Sequence, residues 1–272
     1  MPACRICGTS VKKDGTFLVP EYGFIAEDKV ELATTRKPEK TYRGDIIYVG
    51  DQHEIQNSEE NTRVIGNKVV KISSTTNDEL LVLNKSEFYV CETCGYAKVF
   101  EHAKIDEIIK APEHTTAYGR PCKNKFFKRR SLGHKFKTDV LYMAIQDSLD
   151  LSTSLSVLYA LLEAISDTLD IERNDISGCL HKRYVDGVAE TGFVFFDNVP
   201  GGAGHVRRIA LLNDGGLMKV FNNALDIVQN CKCGGAEADS ACYSCLCNYQ
   251  NQRVHAQLSR RKAMQWLKEM ID

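Results

Sequence analysis

The sequence predicts an α+β protein: an antiparallel β region through its first half, then a mixed helix-and-strand domain through its second. Three observations carry this. Strand-like segments alternate with Asn/Asp/Ser/Gly clusters across residues 14–90. Leu151, Leu155, Leu158, Leu162, Ile165 and Leu169 recur at alternating spacings of four and three, which paints one face of an amphipathic helix. Two close cysteine pairs, Cys231 with Cys233 and Cys242 with Cys245, flank a short polar loop that could not pack itself.

Taken in order, the strand-like segments are Thr16–Val19, Tyr42–Val49, Thr62–Ile72 and Glu79–Leu83. The pair in CETC, Cys91–Cys94, ends this region, and the charged stretch after it, with Pro112 and Pro121, has the character of a linker or metal knuckle. A boundary near residue 130 divides a β-rich region, 1–130, from a second domain, 131–272. Beyond it lie the leucine-striped helix and Phe193–Phe196, a short apolar run that reads as a buried strand. That run feeds a Pro200-Gly201-Gly202 turn and a second helix. Residues 216–229 and 255–271 supply two more helices, the last with Leu258, Met264, Leu267 and Ile271 on one side and Arg260, Arg261, Lys262 and Lys268 mostly elsewhere.

Composition narrows the classes. The 11 cysteines come without an N-terminal apolar segment to serve as a signal peptide, so the thiols read as reduced metal ligands of a cytoplasmic protein. No apolar run approaches the roughly 18 residues that a membrane span requires. A formal charge of −1 excludes a uniformly basic coat, so any nucleic-acid contact is a local patch.

Two thiolate pairs joined by a short reversing loop can wrap one tetrahedral ion, and Cys231, Cys233, Cys242 and Cys245 therefore read as a structural zinc site. Cys247 is a spare thiol beside it, and Cys179 reads as core filler. Cys91 and Cys94 are half of a second site. His114 and Cys122 could complete it locally, or Cys4 and Cys7, in CRIC, could complete it after a long chain return. A redox CxxC fits poorly, because such a motif stands alone at a strand-to-helix junction. Iron–sulfur ligation would accept four thiolates, but the ferredoxin spacings are absent.

Between Lys123 and Lys137 the chain reads KNKFFKRRSLGHKFK, seven Lys/Arg among 15 residues with three phenylalanines interleaved. Cations attract phosphates and aromatic faces stack on bases, so Lys128, Arg129 and Arg130 are the nucleic-acid candidates. A solvated basic loop with core-plugging phenylalanines is the competing reading. Arg207, Arg208 and residues 260–262 could extend the patch. DNVPGGAGH, residues 197–205, invites a phosphate-loop reading, yet no GxxxxGK followed by Ser or Thr occurs, so the chain has no P-loop signature. Glu163, Asp197 and His205 could converge as the acid/base cluster of a hydrolase or nuclease; otherwise Asp197 caps the loop and His205 is structural.

The run FFDNVPGGAGHVRRI, then CKC, then SACYSCLCNYQNQ, then His255 with LSRRKA, resembles the MrfA-like zinc-binding domain at the C-terminus of DEAD/DEAH-box-type DNA helicases. LGHKFKTDVL and LLEAISDTLDIERNDISG match the same group, and the resemblance covers roughly residues 85–272. The segment FLVPEYGFIAED is similar to one preceding this domain in such helicases and in the DrmB-like component of the DISARM antiphage system. The resemblance implies zinc at Cys231, Cys233, Cys242 and Cys245, and it favours the local completion by His114 and Cys122. It makes Cys4 and Cys7 half of a ribbon whose other half would lie upstream, as in a split or shortened product. The family's ATPase motor is not in this sequence. The expectation is a non-catalytic module that accompanies a superfamily 2 helicase motor on single-stranded or duplex DNA, in repair or antiphage defence. A protein-interaction scaffold is the remaining alternative.

Overall fold

The computed structural model of the chain describes residues 17–19, 44–49, 62–99, 108–185, 188–235 and 237–272. The fold is α+β, as the sequence predicts. Cys4 and Cys7, and most of FLVPEYGFIAED, lie outside the described residues. The strands are β1 (Phe17–Leu18), β2 (Gly44–Tyr48), β3 (Thr62–Ile65), β4 (Lys68–Val90), β5 (Ala97–Val99), β6 (Ile108–Lys110), β7 (Phe126–Ile145), β8 (Ile176–Val185) and β9 (Val188–Asp197). The helices are α1 (Leu151–Leu169), α2 (His205–Ala210), α3 (Asp214–Asn230) and α4 (Arg260–Ile271). The chain forms two compact units. Among the described residues one comprises Ile47–Leu80 and Phe136–Asp272, and the other comprises residues 17–19, 44–46 and Leu81–Lys135.

In the first unit β7, β9 and β8 form an antiparallel run, with Leu141 opposite Phe195 and Leu180 opposite Phe193. Alternation sends Leu141, Met143, Ile145, Phe193 and Phe195 into the core shared with α1, α3 and α4. The intervening Val140, Tyr142, Val194 and Phe196 are buried as well. A strand covered on both faces has no polar side to show, which is why Phe193–Phe196 reads as an unbroken apolar run.

Helix α1 starts where Asp150 accepts hydrogen bonds from the backbone N–H groups of Ser152 and Thr153, and it stops at Asp170, which takes the left-handed conformation. Leu158, Leu162, Ile165 and Leu169 of the predicted stripe are buried, whereas Leu151 at the helix start is exposed. Burial extends beyond the stripe, because Ser154, Ser156 and Ser166 are also buried. Their hydroxyls donate to the carbonyls of Asp150, Ser152 and Leu162 one turn back, so they enter the core without unpaired polar atoms. The last helical stretch is broken: a 3₁₀ turn at Gln252–Gln257 precedes α4, and Ser259 caps α4 through its hydroxyl.

Thr62–Ile72 is a hairpin. Ile65 pairs with Lys68, leaving Gly66 and Asn67 as a two-residue loop with Gly66 at φ +56°. Positive φ at the first loop residue suits the right-handed strand twist, and glycine adopts it without strain. A Cβ at Gly66 would also lie 2.5 Å from the carbonyl oxygen of Met270, so the loop rests on the end of α4. Gly66→Ala is therefore expected to lower the urea midpoint at unchanged m-value, by about 1–3 kcal/mol of stability. A stabilisation, the usual result of Gly→Ala at an unstrained site, would contradict this account.

Candidate metal centres and the basic strand

The C-terminal cluster begins where α3 ends. Cys231 leaves the helix in an extended conformation, and the polar loop after Cys233 turns back so that the Ala238 N–H reaches the Gly234 carbonyl. The carbonyl of Cys242 then accepts from the N–H groups of Cys245, Leu246 and Cys247, a tight turn that brings Cys242 and Cys245 to the first pair. The sulfurs of Cys231 and Cys242 stand 3.5 Å apart, those of Cys233 and Cys245 3.7 Å, and those of Cys242 and Cys245 3.9 Å. All four lie within 4.8 Å of one another. Sulfurs at the corners of a zinc tetrahedron, each about 2.3 Å from the ion, are about 3.8 Å apart, so the donor set fits zinc.

Burial raises the Cys245 and Cys233 thiols. Burial alone would raise Cys242 too, but the Ser244 N–H and the facing thiols bring it down to about 7. A metal must displace the remaining protons, so loading releases protons. Cys247 is buried behind this turn and is not among the four converging sulfurs. Cys179 is buried on β8, its thiol pushed up to about 12 by burial.

Arg260 supplies a second test of fit. Only 5% exposed, it donates from Nη1 to the Val228 carbonyl at 2.9 Å, and from Nε and Nη2 to the Cys233 carbonyl at 3.2 and 2.9 Å. Among the described residues no carboxylate pairs with it. A buried cation without a counter-ion is costly, and four thiolates around one divalent ion carry a net negative charge that answers it. The next residues continue the seam: the Arg261 N–H donates to the Ala238 carbonyl, and the Arg261 guanidinium meets Asp239 at 2.5 Å.

The second cluster is assembled by two hairpins. At the end of β4, Cys91 and Cys94 sit in a turn in which the Gly95 N–H donates to the Cys91 carbonyl, and β5 returns along β4. The loop joining β6 to β7 carries His114 and Cys122, held together by the Cys122 N–H donating to the His114 carbonyl at 3.0 Å. The local set therefore converges: donor atoms of Cys91, Cys94, His114 and Cys122 lie within 4.8 Å of one another, and the Cys91 and Cys122 sulfurs are 3.8 Å apart. His114 is buried, its Nδ1 is 2.8 Å from the Pro112 carbonyl, and its Nε2 has no hydrogen-bond partner. A ring that donates from one nitrogen keeps a lone pair on the other, the arrangement of a metal-bound histidine. Burial works against the charged Cys91, but N–H groups of Cys94 and Thr93, with His114 and Asn124, bring it down to about 6, whereas burial leaves Cys94 at about 11.

The basic stretch is a strand from Phe126 onward. Phe127 is fully buried in a small core with Tyr89 and Cys91, while Phe126 is 58% exposed. Phe126 pairs with Lys110 and Lys128 with Ile108, so Phe126, Lys128 and Arg130 share a face with Ile108 and Lys110 of β6. Arg129 alternates to the face of Phe127. On the exposed face Glu92 meets Lys128 and Arg130, each at 2.6 Å.

Two of the three acid/base candidates, Asp197 and Glu163, are engaged elsewhere, and His205 meets Asp197 through its backbone N–H. Both oxygens of the buried Asp197 are taken: Oδ2 by the N–H groups of Ala203 and His205 at 2.6 and 3.0 Å, Oδ1 by that of Val206 at 3.0 Å. Asp139 accepts from the Gly204 N–H at 2.9 Å, so four successive N–H groups end on the chain's own carboxylates. Gly202 has φ +77°, and a Cβ there would lie 2.5 Å from the Asp139 side chain, so this turn requires glycine. Glu163 pairs with Arg173 at 2.8 Å. No described helix is long and apolar enough to cross a membrane.

Residues 157–246, which include all four cysteines of the C-terminal cluster, match the MrfA Zn-binding domain. The chain is 26% identical over 227 residues to the Druantia protein DruE of Escherichia coli strain UMEA 4076-1, a match that covers 74% of this chain and 11% of DruE. The crystal structure of the DUF1998 helicase MrfA bound to DNA superimposes with a TM-score of 0.45 at 12% identity, covering 84% of this chain and 25% of that one. The chain thus spans a small part of the relatives it matches. The Cys91 cluster lies outside the matched family segment.

Metal analysis of the purified chain is expected to find two zinc ions, falling to one in Cys242→Ser with reduced thermal stability; an unchanged zinc content would exclude Cys242 as a ligand. Arg260→Met, which removes the charge and the clamp together, is expected to weaken zinc retention against a chromophoric chelator about 10- to 100-fold at the C-terminal site alone.

Proposed function

We propose that this chain is a non-catalytic, zinc-stabilised accessory module of a superfamily 2 DNA helicase. It works with the motor either in the same polypeptide or as a separate chain, in the cytoplasm, in DNA repair or defence against foreign DNA. Residues 131–272 form the zinc-binding domain in this reading. Cys231, Cys233, Cys242 and Cys245 hold one zinc, and Cys91, Cys94, His114 and Cys122 hold another. The ions are structural: four protein donors leave no open position for a substrate or an activated water.

The observation that carries the nucleic-acid part is the face of β7 on which the exposed Phe126 stands two residues from Lys128 and four from Arg130. An aromatic ring beside cations provides stacking for a base and pairing for its phosphates, the combination that single strands require. The match to a zinc-binding domain named for MrfA supports the helicase setting.

The zinc-loaded chain is expected to bind an oligothymidine with affinity that falls steeply with salt, and to hydrolyse no ATP. Lys128→Ala with Arg130→Ala should weaken binding and reduce the slope of log K against log salt by about 1.4, that is about 0.7 per lost phosphate contact. No binding by the parent chain would favour the protein-interaction scaffold instead.

A further inference from the structure

Among the described residues Glu92 is the acidic residue that meets two cations of the basic strand. It lies inside the CETC turn, between two metal-site cysteines, and is anchored by the same turn that sets Cys91 and Cys94. Each of its carboxylate oxygens faces a different cation: Oε2 is 2.6 Å from Lys128 Nζ, and Oε1 is 2.6 Å from Arg130 Nη2. Those cations are two residues apart on one face of a strand, about 7 Å along the chain, and a single fork of oxygens bridges them. A phosphodiester presents the same feature, two unesterified oxygens sharing one negative charge.

We propose that Glu92 is a built-in phosphate surrogate that occupies the cation pair until a single-stranded nucleic acid displaces it, which rests on the DNA-contact reading above. The remaining residues of this face fit such a strand. Phe126 and Ile108 are 58% and 54% exposed, and Lys110 stands directly across from Phe126, so a stacking platform and a third cation are open beside the occupied pair. Exposed ion pairs contribute little net stability, because water and salt compete for both partners. Displacement is therefore cheap for a polyanion that brings several phosphates and a stacked base at once. A single phosphate or a lone carboxylate brings too few contacts to evict a tethered competitor held at high effective concentration. The surrogate thus selects for strands over small anions.

The test compares binding of a fluorescent oligothymidine by the zinc-loaded full chain and by Glu92→Gln, which keeps the shape and removes the charge. The variant is expected to bind about 5- to 10-fold more tightly at a salt slope close to that of the parent, because the same two cations meet phosphates in both complexes and only the competitor is gone. Adding Lys128→Ala and Arg130→Ala to Glu92→Gln should return affinity to that of the double variant alone. Glu92→Ser, with zinc content and melting temperature measured alongside, serves if Glu92→Gln folds poorly. Equal affinity of the parent and both Glu92 variants would overturn the surrogate while leaving the DNA-contact reading intact. Absence of binding by the parent and by every variant would overturn both. Stronger binding of a poly-glutamate peptide than of oligothymidine by Glu92→Gln would overturn the assignment to nucleic acid.

Discussion

The guanidinium of Arg260 is the constraint on which the helical layer depends. It draws together the last turn of α3 through Val228, the metal loop through Cys233, and its own position at the start of α4. Around it the N–H of Arg261 reaches the Ala238 carbonyl, and that of Ser259 reaches the Ser156 hydroxyl on α1. A helix start normally leaves several N–H groups to water; here the loop between the cysteine pairs and the middle of α1 accept them. The loop can offer its carbonyls only if its own path is fixed, and the four converging sulfurs fix it together with the Ala238–Gly234 hydrogen bond and the Arg261–Asp239 ion pair. Metal, loop and helix packing therefore stand or fall together.

The second unit solves a similar shortage with less material. Among its described residues a small buried cluster joins Tyr89, Cys91 and Phe127, with partly buried Tyr96, Ile109 and Cys122 around them. A cluster of that size cannot offset the chain entropy of two hairpins on its own. The donor atoms supply a cross-link between β4 and the β6–β7 loop, and the ring of His114 doubles as core, edge-on to Phe127 at 4.8 Å.

Much of this was legible in the sequence because metal knuckles and amphipathic helices have local signatures. The leucine stripe of α1 and the spacing of both cysteine clusters are short-range patterns, and the structure assembles both where the spacings point. The long strands are not local in that sense. KNKFFKRRSLGHKFK carries no visible strand pattern because only Phe127 of its first half faces a core, so the period of two is hidden under charge. Arg260 reads as a surface cation on the polar side of the last helix, since a sequence cannot show that carbonyls of a distant loop will surround it. The serines of α1 mislead for the same reason: their polarity is satisfied inside the helix, which leaves them free to be buried. Cys4 and Cys7 lie outside the described residues; among the described residues the local donors of the Cys91 pair, His114 and Cys122, converge with it.

The turn between β9 and α2 illustrates how a glycine signature can be spent inward. Backbone N–H groups from Ala203 to Val206 form the concave cradle in which many proteins seat an external anion. In this chain Asp197 and Asp139 are already seated there, one from the end of β9 and one from β7, so the cradle behaves as an internal clasp joining two strands to a helix. Its glycines record a demand for close approach by the protein to itself. Replacing Asp197 would free three of the four N–H groups, which makes the clasp a natural starting point for engineering a phosphate-responsive joint into the domain.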